Sequence, residues 1–187
     1  MNLIGKRAAL AAASAALGTG LALAPAAEAA HRPSSSAAPA SAEARDGGVW
    51  YFKAKHSKKC MTVHGANTAR GAAVDQYDCV GQANQRWKVL STSQWGVSYV
   101  ISEHGGKCLD VQGGSKDNGA KIITWDCNGR DNQVFHVRNL TGTVALKPKH
   151  ASQKCLDVPG ASQQNNTQLI LWNCKSVANQ QFEMVRA

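Results

Sequence analysis

Apolar and polar residues alternate over short stretches of the chain after about residue 49, and polar, glycine-rich segments separate these stretches. The segments "VSYVIS", "CLDV", "AKIITWDC" and "QVFHV" are short and rich in β-branched and aromatic residues, which is typical of strands. Between them lie "EHGGK", "QGGSKDNG" and "NGRDN", which have the composition of turns. No segment keeps apolar residues three and four positions apart, so the pattern predicts an all-β protein almost without helix.

The strand pattern returns along the chain with a fixed period. Three pairs of cysteines are each separated by 19 residues, and the first cysteines of successive pairs are 48 and 47 residues apart. Asn-Gln and then an aromatic residue follow each second cysteine at the same distance. A spacing kept three times indicates a tandem repeat. Four strands in each of three units predict about twelve strands, in repeats at about residues 49–94, 95–140 and 141–187.

The first 48 residues differ in composition from the repeats. Residues 1–29 carry Lys6 and Arg7, an alanine-rich apolar run and the triplet Ala27-Glu28-Ala29, which together are typical of a secretory signal peptide. We therefore expect a secreted, extracellular protein. Small polar residues interrupt the apolar run, so we expect no membrane span. Residues 30–48 are rich in Ala, Ser and Pro and are interpreted as a flexible tether before one domain at residues 49–187.

The six cysteines fit an exported protein. Their number is even, and an oxidising compartment lets them pair, so disulfides are favoured over metal ligands. Six cysteines allow several connectivities, and the constant separation favours one disulfide in each repeat. The expected bonds join Cys60 to Cys79, Cys108 to Cys127 and Cys155 to Cys174.

The combination of an intra-repeat cysteine pair, a C-L-D-V segment and a closing Q-x-W/F, present three times, resembles the ricin B-type lectin family. The resemblance covers the chain after the tether. It implies a β-trefoil fold and carbohydrate binding without catalysis, at a site in each repeat formed by an Asp, an aromatic residue and an Asn. It also suggests glycans that contain galactose, arabinose or xylose.

The cysteine spacing makes a geometric prediction of its own. A disulfide between Cys108 and Cys127 would hold two strands side by side. If these strands are antiparallel, Asp110 faces Trp125, because side chains alternate along a strand, and the third repeat would pair Asp157 with Trp172 in the same way. A carboxylate beside an aromatic ring suits a sugar, since the carboxylate accepts hydrogen bonds from hydroxyls and the ring packs on the C–H face of the pyranose.

The first repeat departs from this pattern. Thr62 stands where the other repeats have Asp, and it would pair with Tyr77, so we expect a weaker site there. Asp75 lies on the same side of its strand as Tyr77 and is a candidate replacement for the missing carboxylate. The candidate carbohydrate-binding residues are Asp110, Trp125, Asn132, Gln133, Asp157, Trp172, Asn179 and Gln180, with Asp75, Tyr77 and Asn84 as weaker candidates.

Several of these residues have structural interpretations as well. The three Gln side chains of the Asn-Gln motif are more readily explained as ties to turn backbone than as ligand contacts. Asp110 and Asp157 could cap turns, and Trp125 and Trp172 could lie in the core. The aromatic residues that close each motif are expected to lie in the core. His56, His104 and His150 precede the first cysteine of each repeat, but equivalent loops lie apart, so neither a metal site nor a cofactor is expected.

The charge of the chain leaves other partners open. A net charge of +9 predicts non-specific attraction to polyanions. The sequence has no stripe of alternating basic and aromatic residues, so it gives no indication of specific nucleic-acid recognition. The expected partner is a polysaccharide or glycoconjugate, bound by a monomer. Two other functions remain open: a trefoil protease inhibitor or protein-interaction module that uses its loops, and a glycoside hydrolase. The hydrolase is disfavoured because Asp110 and Asp157 belong to different repeats.

Overall fold

The computed structural model describes residues 46–137 and 142–187. The predicted signal peptide, residues 1–29, and most of the predicted tether lie outside the described residues. The first strand begins at Asp46, so residues 46–48, assigned above to the tether, belong to that strand. No helix in the described part of the chain is long and apolar enough to cross a membrane.

The described residues form fourteen β-strands, and strands dominate as predicted. The first repeat contains β1 (Asp46–Ala54), β2 (Cys60–Val63), β3 (Ala72–Tyr77) and β4 (Trp87–Ser91). The second contains β5 (Val97–Ser102), β6 (Cys108–Val111), β7 (Ile122–Trp125) and β8 (Val134–His136). The third contains β9 (Gly142–Val144), β10 (Lys147–Pro148), β11 (Lys154–Asp157), β12 (Thr167–Gln168), β13 (Ile170–Asn173) and β14 (Phe182–Arg186).

The number fourteen corresponds to the twelve expected strands, because two strands of the third repeat are interrupted. Strands β9 and β10 together take the place of β1 and β5, and β12 and β13 take the place of β3 and β7. Seven short 3₁₀ helices connect the strands, at His64–Ala66, Ala83–Gln85, Gln112–Gly114, Asp131–Gln133, Lys149–Ala151, Pro159–Ala161 and Ala178–Gln180.

The first and fourth strands of each repeat close a barrel. Strand β1 pairs with β4 and β14, β5 pairs with β4 and β8, and the interrupted strand β9–β10 joins β14 to β8. The second and third strands form a hairpin in each repeat, and the hairpins meet where β3 pairs with β7 and β12. Closure leaves the barrel strands without open edges. This arrangement is the predicted β-trefoil of three repeats.

The residues that close each repeat motif lie in the core, as predicted. Trp87, Phe135 and Phe182 are buried at the start of β4, within β8 and at the start of β14. The indole N–H of Trp87 donates to the carbonyl of Met61, at 2.9 Å, so its single polar group is satisfied inside the core. Leucine, isoleucine and valine side chains from all three repeats pack around these rings.

The three disulfides form within the repeats, as predicted, each with its Cα atoms 5.1 Å apart. The predicted register of the hairpins is wrong by two residues: Cys108 lies opposite Trp125, and Asp110 lies opposite Ile123. The cause is that Cys127 comes after the end of β7, so the disulfide does not join opposed residues. A shift of two keeps every side chain on its face of the hairpin, and Asp110 and Trp125 become diagonal neighbours on one face.

The third repeat has the same register as the second. Cys155 lies opposite Trp172, and Asp157 lies opposite Ile170, rather than opposite Trp172 as predicted. The two acid-bearing repeats therefore present the same diagonal pair of carboxylate and indole.

Candidate functional site

Each repeat carries one shallow depression beside its hairpin. The cavity volumes are about 470 Å³ in the first repeat, 400 Å³ in the second and 420 Å³ in the third. The predicted acid, aromatic and Asn residues of each repeat line the same depression. They are Asp75, Tyr77 and Asn84 in the first repeat, Asp110, Trp125 and Asn132 in the second, and Asp157, Trp172 and Asn179 in the third.

The carboxylate of the second repeat is held by one glutamine. Asp110 is only 4% exposed, and Gln133 donates from Nε2 to Asp110 Oδ2 at 2.7 Å and to the carbonyl of Asp126 at 2.9 Å. The Gln133 oxygen accepts the backbone N–H of Asn128 at 2.8 Å. Burial raises the pKa of Asp110, and the hydrogen bonds from Gln133 and Asn132 oppose this rise. The acid is therefore fixed in position at the base of the depression.

The third repeat reproduces these contacts. Asp157 is 5% exposed and accepts from Gln180 Nε2 at 2.7 Å through Oδ2 and from Asn179 Nδ2 at 3.2 Å through Oδ1. The Gln180 amide also donates to the carbonyl of Asn173 at 2.9 Å and accepts from the N–H of Lys175 at 2.7 Å. Burial again raises the pKa of Asp157, opposed by Gln180 and Asn179.

The glutamines act within the protein rather than on its surface. Gln133 and Gln180 are buried, and both polar atoms of each amide bond to protein groups. The predicted ties from these glutamines to turn backbone are present. Each glutamine also donates to a carboxylate, which the sequence did not predict. These residues therefore position the acids, and the acid, aromatic and Asn side chains remain the candidates for direct contact.

The asparagines are anchored by their amide nitrogens. Asn132 Nδ2 donates to the carbonyl of Val111 at 3.1 Å, and Asn179 Nδ2 donates to that of Val158 at 3.0 Å. Asn84 makes the equivalent bond to Val63 at 3.0 Å. One N–H of each amide is used in this bond, and Asn179 uses its second N–H on Asp157, so the amide oxygen is the group that all three asparagines can still offer to a ligand.

The aromatic residues of the depressions lie outside the core. Trp125 is 37% exposed and Tyr77 is 38% exposed, and Trp172 is half-buried. The guanidinium of Arg70, from the first repeat, lies 5.8 Å from the centroid of the Trp125 ring and pairs with Asp126 at 3.3 Å. This contact between repeats orients the indole, and the sequence pattern did not predict it.

Two cationic side chains also line the acid-bearing depressions. Arg130 belongs to the second depression and Lys175 to the third, and the charge of each opposes the rise in pKa that burial causes in the neighbouring acid. Both lie between the second cysteine and the Asn-Gln motif of their repeat. The first depression has Val80 and Gln82 in this part of its lining, so it lacks the cation as well as the usual acid.

In the first repeat the carboxylate has moved to the facing strand. Thr62 lies opposite Asp75, rather than opposite Tyr77 as predicted, whereas Asp110 and Asp157 lie opposite isoleucines. Asp75 is 2% exposed, and its Oδ2 lies 2.6 Å from Nδ1 of His64, which also lines the depression. Burial raises the pKa of Asp75, and the His64 hydrogen bond opposes the rise. The imidazole of His64 therefore covers one carboxylate oxygen of Asp75.

The three recurring histidines contact backbone rather than one another. Nε2 of His56, His104 and His150 lies 2.9, 2.8 and 3.0 Å from the carbonyl oxygens of Ser162, Ala66 and Ser115, respectively. In each case the carbonyl belongs to a different repeat from the histidine. Over residues 46–137 and 142–187, no group of three or more His, Cys, Asp or Glu residues is arranged to hold a metal ion.

A family model described as the ricin-type beta-trefoil lectin domain matches residues 49–182. The designed threefold symmetric protein ThreeFoil is 33% identical, with a TM-score of 0.71 over 75% of this chain and 99% of its own. No curated protein matches the chain in sequence.

Two natural proteins of known structure share the fold at lower identity. The exo-beta-1,3-galactanase 1,3Gal43A from Clostridium thermocellum is 23% identical, with a TM-score of 0.72 over 77% of this chain, which spans only 31% of that enzyme. The ricin B-like lectin of Macrolepiota procera, solved in complex with lactose, is 15% identical, with a TM-score of 0.64 over 75% of this chain and 96% of its own.

Proposed function

The chain belongs to the ricin-type beta-trefoil lectin family, and we propose that it is a secreted, non-catalytic carbohydrate-binding protein. Its ligands are glycans that contain galactose, arabinose or xylose. Two depressions, in the second and third repeats, bind with the full set of acid, aromatic and amide groups, and the first repeat binds more weakly. The partner is a polysaccharide or glycoconjugate that one protein monomer meets at more than one repeat.

One observation supports this proposal above the others. In two repeats a nearly buried carboxylate, held by a glutamine amide, shares one face of a hairpin with a partly exposed indole. Such an acid accepts hydrogen bonds from hydroxyl groups, and the indole offers a flat apolar surface to the C–H face of a pyranose. An isolated buried carboxylate would be unfavourable, so its supporting amide indicates that the acid has a function in the depression.

The first repeat is expected to bind differently. Its acid, Asp75, is covered by His64, and Thr62 uses its hydroxyl to donate to the carbonyl of Cys60 at 2.7 Å. A ligand there meets an imidazole in place of a carboxylate that accepts from two hydroxyls. The loss of one charge-assisted hydrogen bond lowers affinity by about tenfold or more. Asp75 therefore does not restore the missing site in a simple way.

The shallow depressions favour binding to long glycans over single sugars. A small open site provides little contact for one sugar residue, so each repeat alone binds weakly. A polysaccharide that reaches two repeats binds the second as an intramolecular step, which raises the overall affinity without any new contact. The net charge of +9 adds a general attraction to acidic polymers, which salt weakens.

A glycan array at low and high salt tests the function. We expect retention of galactose-, arabinose- or xylose-containing glycans that persists at high salt, whereas retention by charge alone disappears. New reducing ends in polysaccharide incubated with the protein would favour the glycoside hydrolase instead. If protease or protein binding survives with Asp110→Ala and Asp157→Ala combined, while no glycan is retained by the unaltered protein, the inhibitor or interaction module is the better description.

A further inference from the structure

The wall of each depression is a short 3₁₀ turn with an unusual backbone. We name the three segments His64–Ala66, Gln112–Gly114 and Pro159–Ala161 the wall turns, and each lines the depression of its own repeat. Each contains two successive residues in the left-handed region, among them Ala66 at φ 52° and Ala161 at φ 49°. Residues with a Cβ adopt this conformation only where the surroundings hold them in it.

A histidine from another repeat contacts the backbone at the C-terminal end of each wall turn. His104 of the second repeat meets the carbonyl of Ala66, the last residue of the first wall turn. His150 of the third repeat meets Ser115, and His56 of the first repeat meets Ser162, each directly after a wall turn. The histidine of the second repeat contacts the first repeat, that of the third contacts the second, and that of the first contacts the third. Every repeat therefore donates one such contact and accepts one.

We propose that His56, His104 and His150 are positioning residues, each of which braces the wall of the sugar-binding depression in a neighbouring repeat. The ring N–H of each histidine fixes the carbonyl at the end of a wall turn and thereby the side of the depression against which a sugar lies. A depression is then complete only when the next repeat is folded against it. The brace follows from the geometry alone, and its effect on sugar affinity rests on the proposed function.

The second depression offers the clearest test. Ser162 also accepts from the Gln76 amide at 2.7 Å, so the third wall turn has a second support. Ser115, among the described residues, accepts at its carbonyl from His150 alone, at 3.0 Å. Removal of the His150 ring should therefore affect the second depression more than removal of the His56 ring affects the third.

Amide hydrogen exchange of the full-length protein measures the brace without any sugar. The N–H of Ser115 donates to Gln112 within the second wall turn, at 3.3 Å, and that of Asn67 donates to His64 in the first, at 3.1 Å. We expect His150→Ala to speed exchange of the Ser115 amide by about two- to tenfold, the effect of one lost hydrogen bond, and to leave Asn67 unchanged. His104→Ala should speed exchange of the Asn67 amide and leave that of Ser115 unchanged. His150→Gln, whose amide still donates, should restore slow exchange.

Binding provides a second readout, which a general loss of stability would not reproduce. The indole N–H signals of Trp125 and Trp172 report the second and third depressions separately during titration with lactose, xylobiose and arabinobiose. We expect His150→Ala to weaken binding at Trp125 by about two- to tenfold and to leave Trp172 unchanged, although His150 belongs to the third repeat. His56→Ala should weaken binding at Trp172 and leave Trp125 unchanged.

Each outcome decides a different claim. Equal losses at both indoles, or a loss only in the repeat that carries the substituted histidine, would overturn the brace. Unchanged exchange at Ser115 in His150→Ala would overturn it as well. If none of the three sugars shifts either indole in the unaltered protein, the proposed ligand class is wrong, and the exchange experiment alone decides the brace.

Discussion

The amide of Gln133 donates to the carboxylate of Asp110 at 2.7 Å, and both side chains are nearly inaccessible to solvent. Gln180 and Asp157 repeat this contact at the same distance in the third repeat. The Asn-Gln motif, which in the sequence marks the end of a repeat, is thus connected to the C-L-D-V segment at its centre. The two halves of the motif are parts of one site.

The contact predicts that the glutamine is needed for binding although it lies beneath the acid. Gln133→Leu removes the donor to Asp110 Oδ2 and leaves the buried carboxylate with Asn132 as its remaining side-chain donor, so we expect affinity in the second repeat to fall by about tenfold and the melting temperature to fall as well. Titration followed at the Trp125 indole measures the loss. The Trp172 signal serves as an internal control, and an unchanged affinity at Trp125 would show that Gln133 only ties the turn.

Two substitutions in the first repeat are expected to increase sugar binding there. Gln85 Nε2 already donates to Thr62 Oγ1 at 3.2 Å, as its counterparts donate to the acids. The double substitution Thr62→Asp and Asp75→Ile would return the carboxylate to β2 and remove the acid that His64 covers. We expect affinity in this repeat to rise about tenfold or more, measured at the Tyr77 ring protons.

A matched control separates charge from shape in this experiment. Thr62→Asn with Asp75→Ile has nearly the same volume but no charge, so we expect it to bind no better than the parent. Equal gains in the two double variants would mean that removal of Asp75, rather than the restored carboxylate, improves the depression.

Burial raises the pKa of Asp110 and of Asp157, and this predicts a pH dependence of binding. A protonated acid no longer accepts from two hydroxyls, so affinity should fall with falling pH at a higher pH than an exposed Asp would require. Titrations between about pH 3 and pH 5.5, below the range of histidine, measure this change. A midpoint in the ordinary range of an exposed Asp would contradict the effect of burial.

The same shift has the opposite effect on the stability of the free protein. The folded state holds the proton more tightly than the unfolded chain, so the stabilising contribution is complete below the ordinary Asp range and is lost as pH rises through the raised pKa. Asp110→Asn and Asp157→Asn together should remove this loss of stability, so between low and high pH the melting temperature of the variant should fall less, or rise more, than that of the parent. Asp75, whose pKa burial also raises, remains in that variant and keeps its own contribution.

The repeat, the strands and the disulfides could be predicted from the sequence because each depends on local spacing. The register could not, because Cys127 and its equivalents follow the ends of the paired strands, and no residue in "AKIITWDC" marks where pairing stops. The diagonal relation of Asp110 and Trp125 survived this error since a shift of two residues preserves the face of a strand.

Contacts between repeats were outside the reach of sequence reasoning. The acceptors of His56, His104 and His150 are backbone carbonyls in other repeats, and a carbonyl leaves no signal in the sequence. The contact between the Arg70 guanidinium and the Trp125 ring also joins two repeats, and the sequence pattern did not predict it. The shifted position of the acid in the first repeat did have a signal in the sequence. Asp75 occupies the position of Ile123 and Ile170 when the repeats are superimposed, but the assumed register hid this relationship.

We expect Asp110 and Asp157 to be the groups that bind the glycan, and isosteric substitution tests their role most directly. Asp110→Asn, Asp157→Asn and their combination keep the volume of each side chain and remove only its charge. With circular dichroism confirming an intact fold, we expect each single variant to lose binding at its own indole by about tenfold or more, and the double variant to lose retention on polysaccharide. Full retention of polysaccharide by the folded double variant, at high salt, would contradict the account.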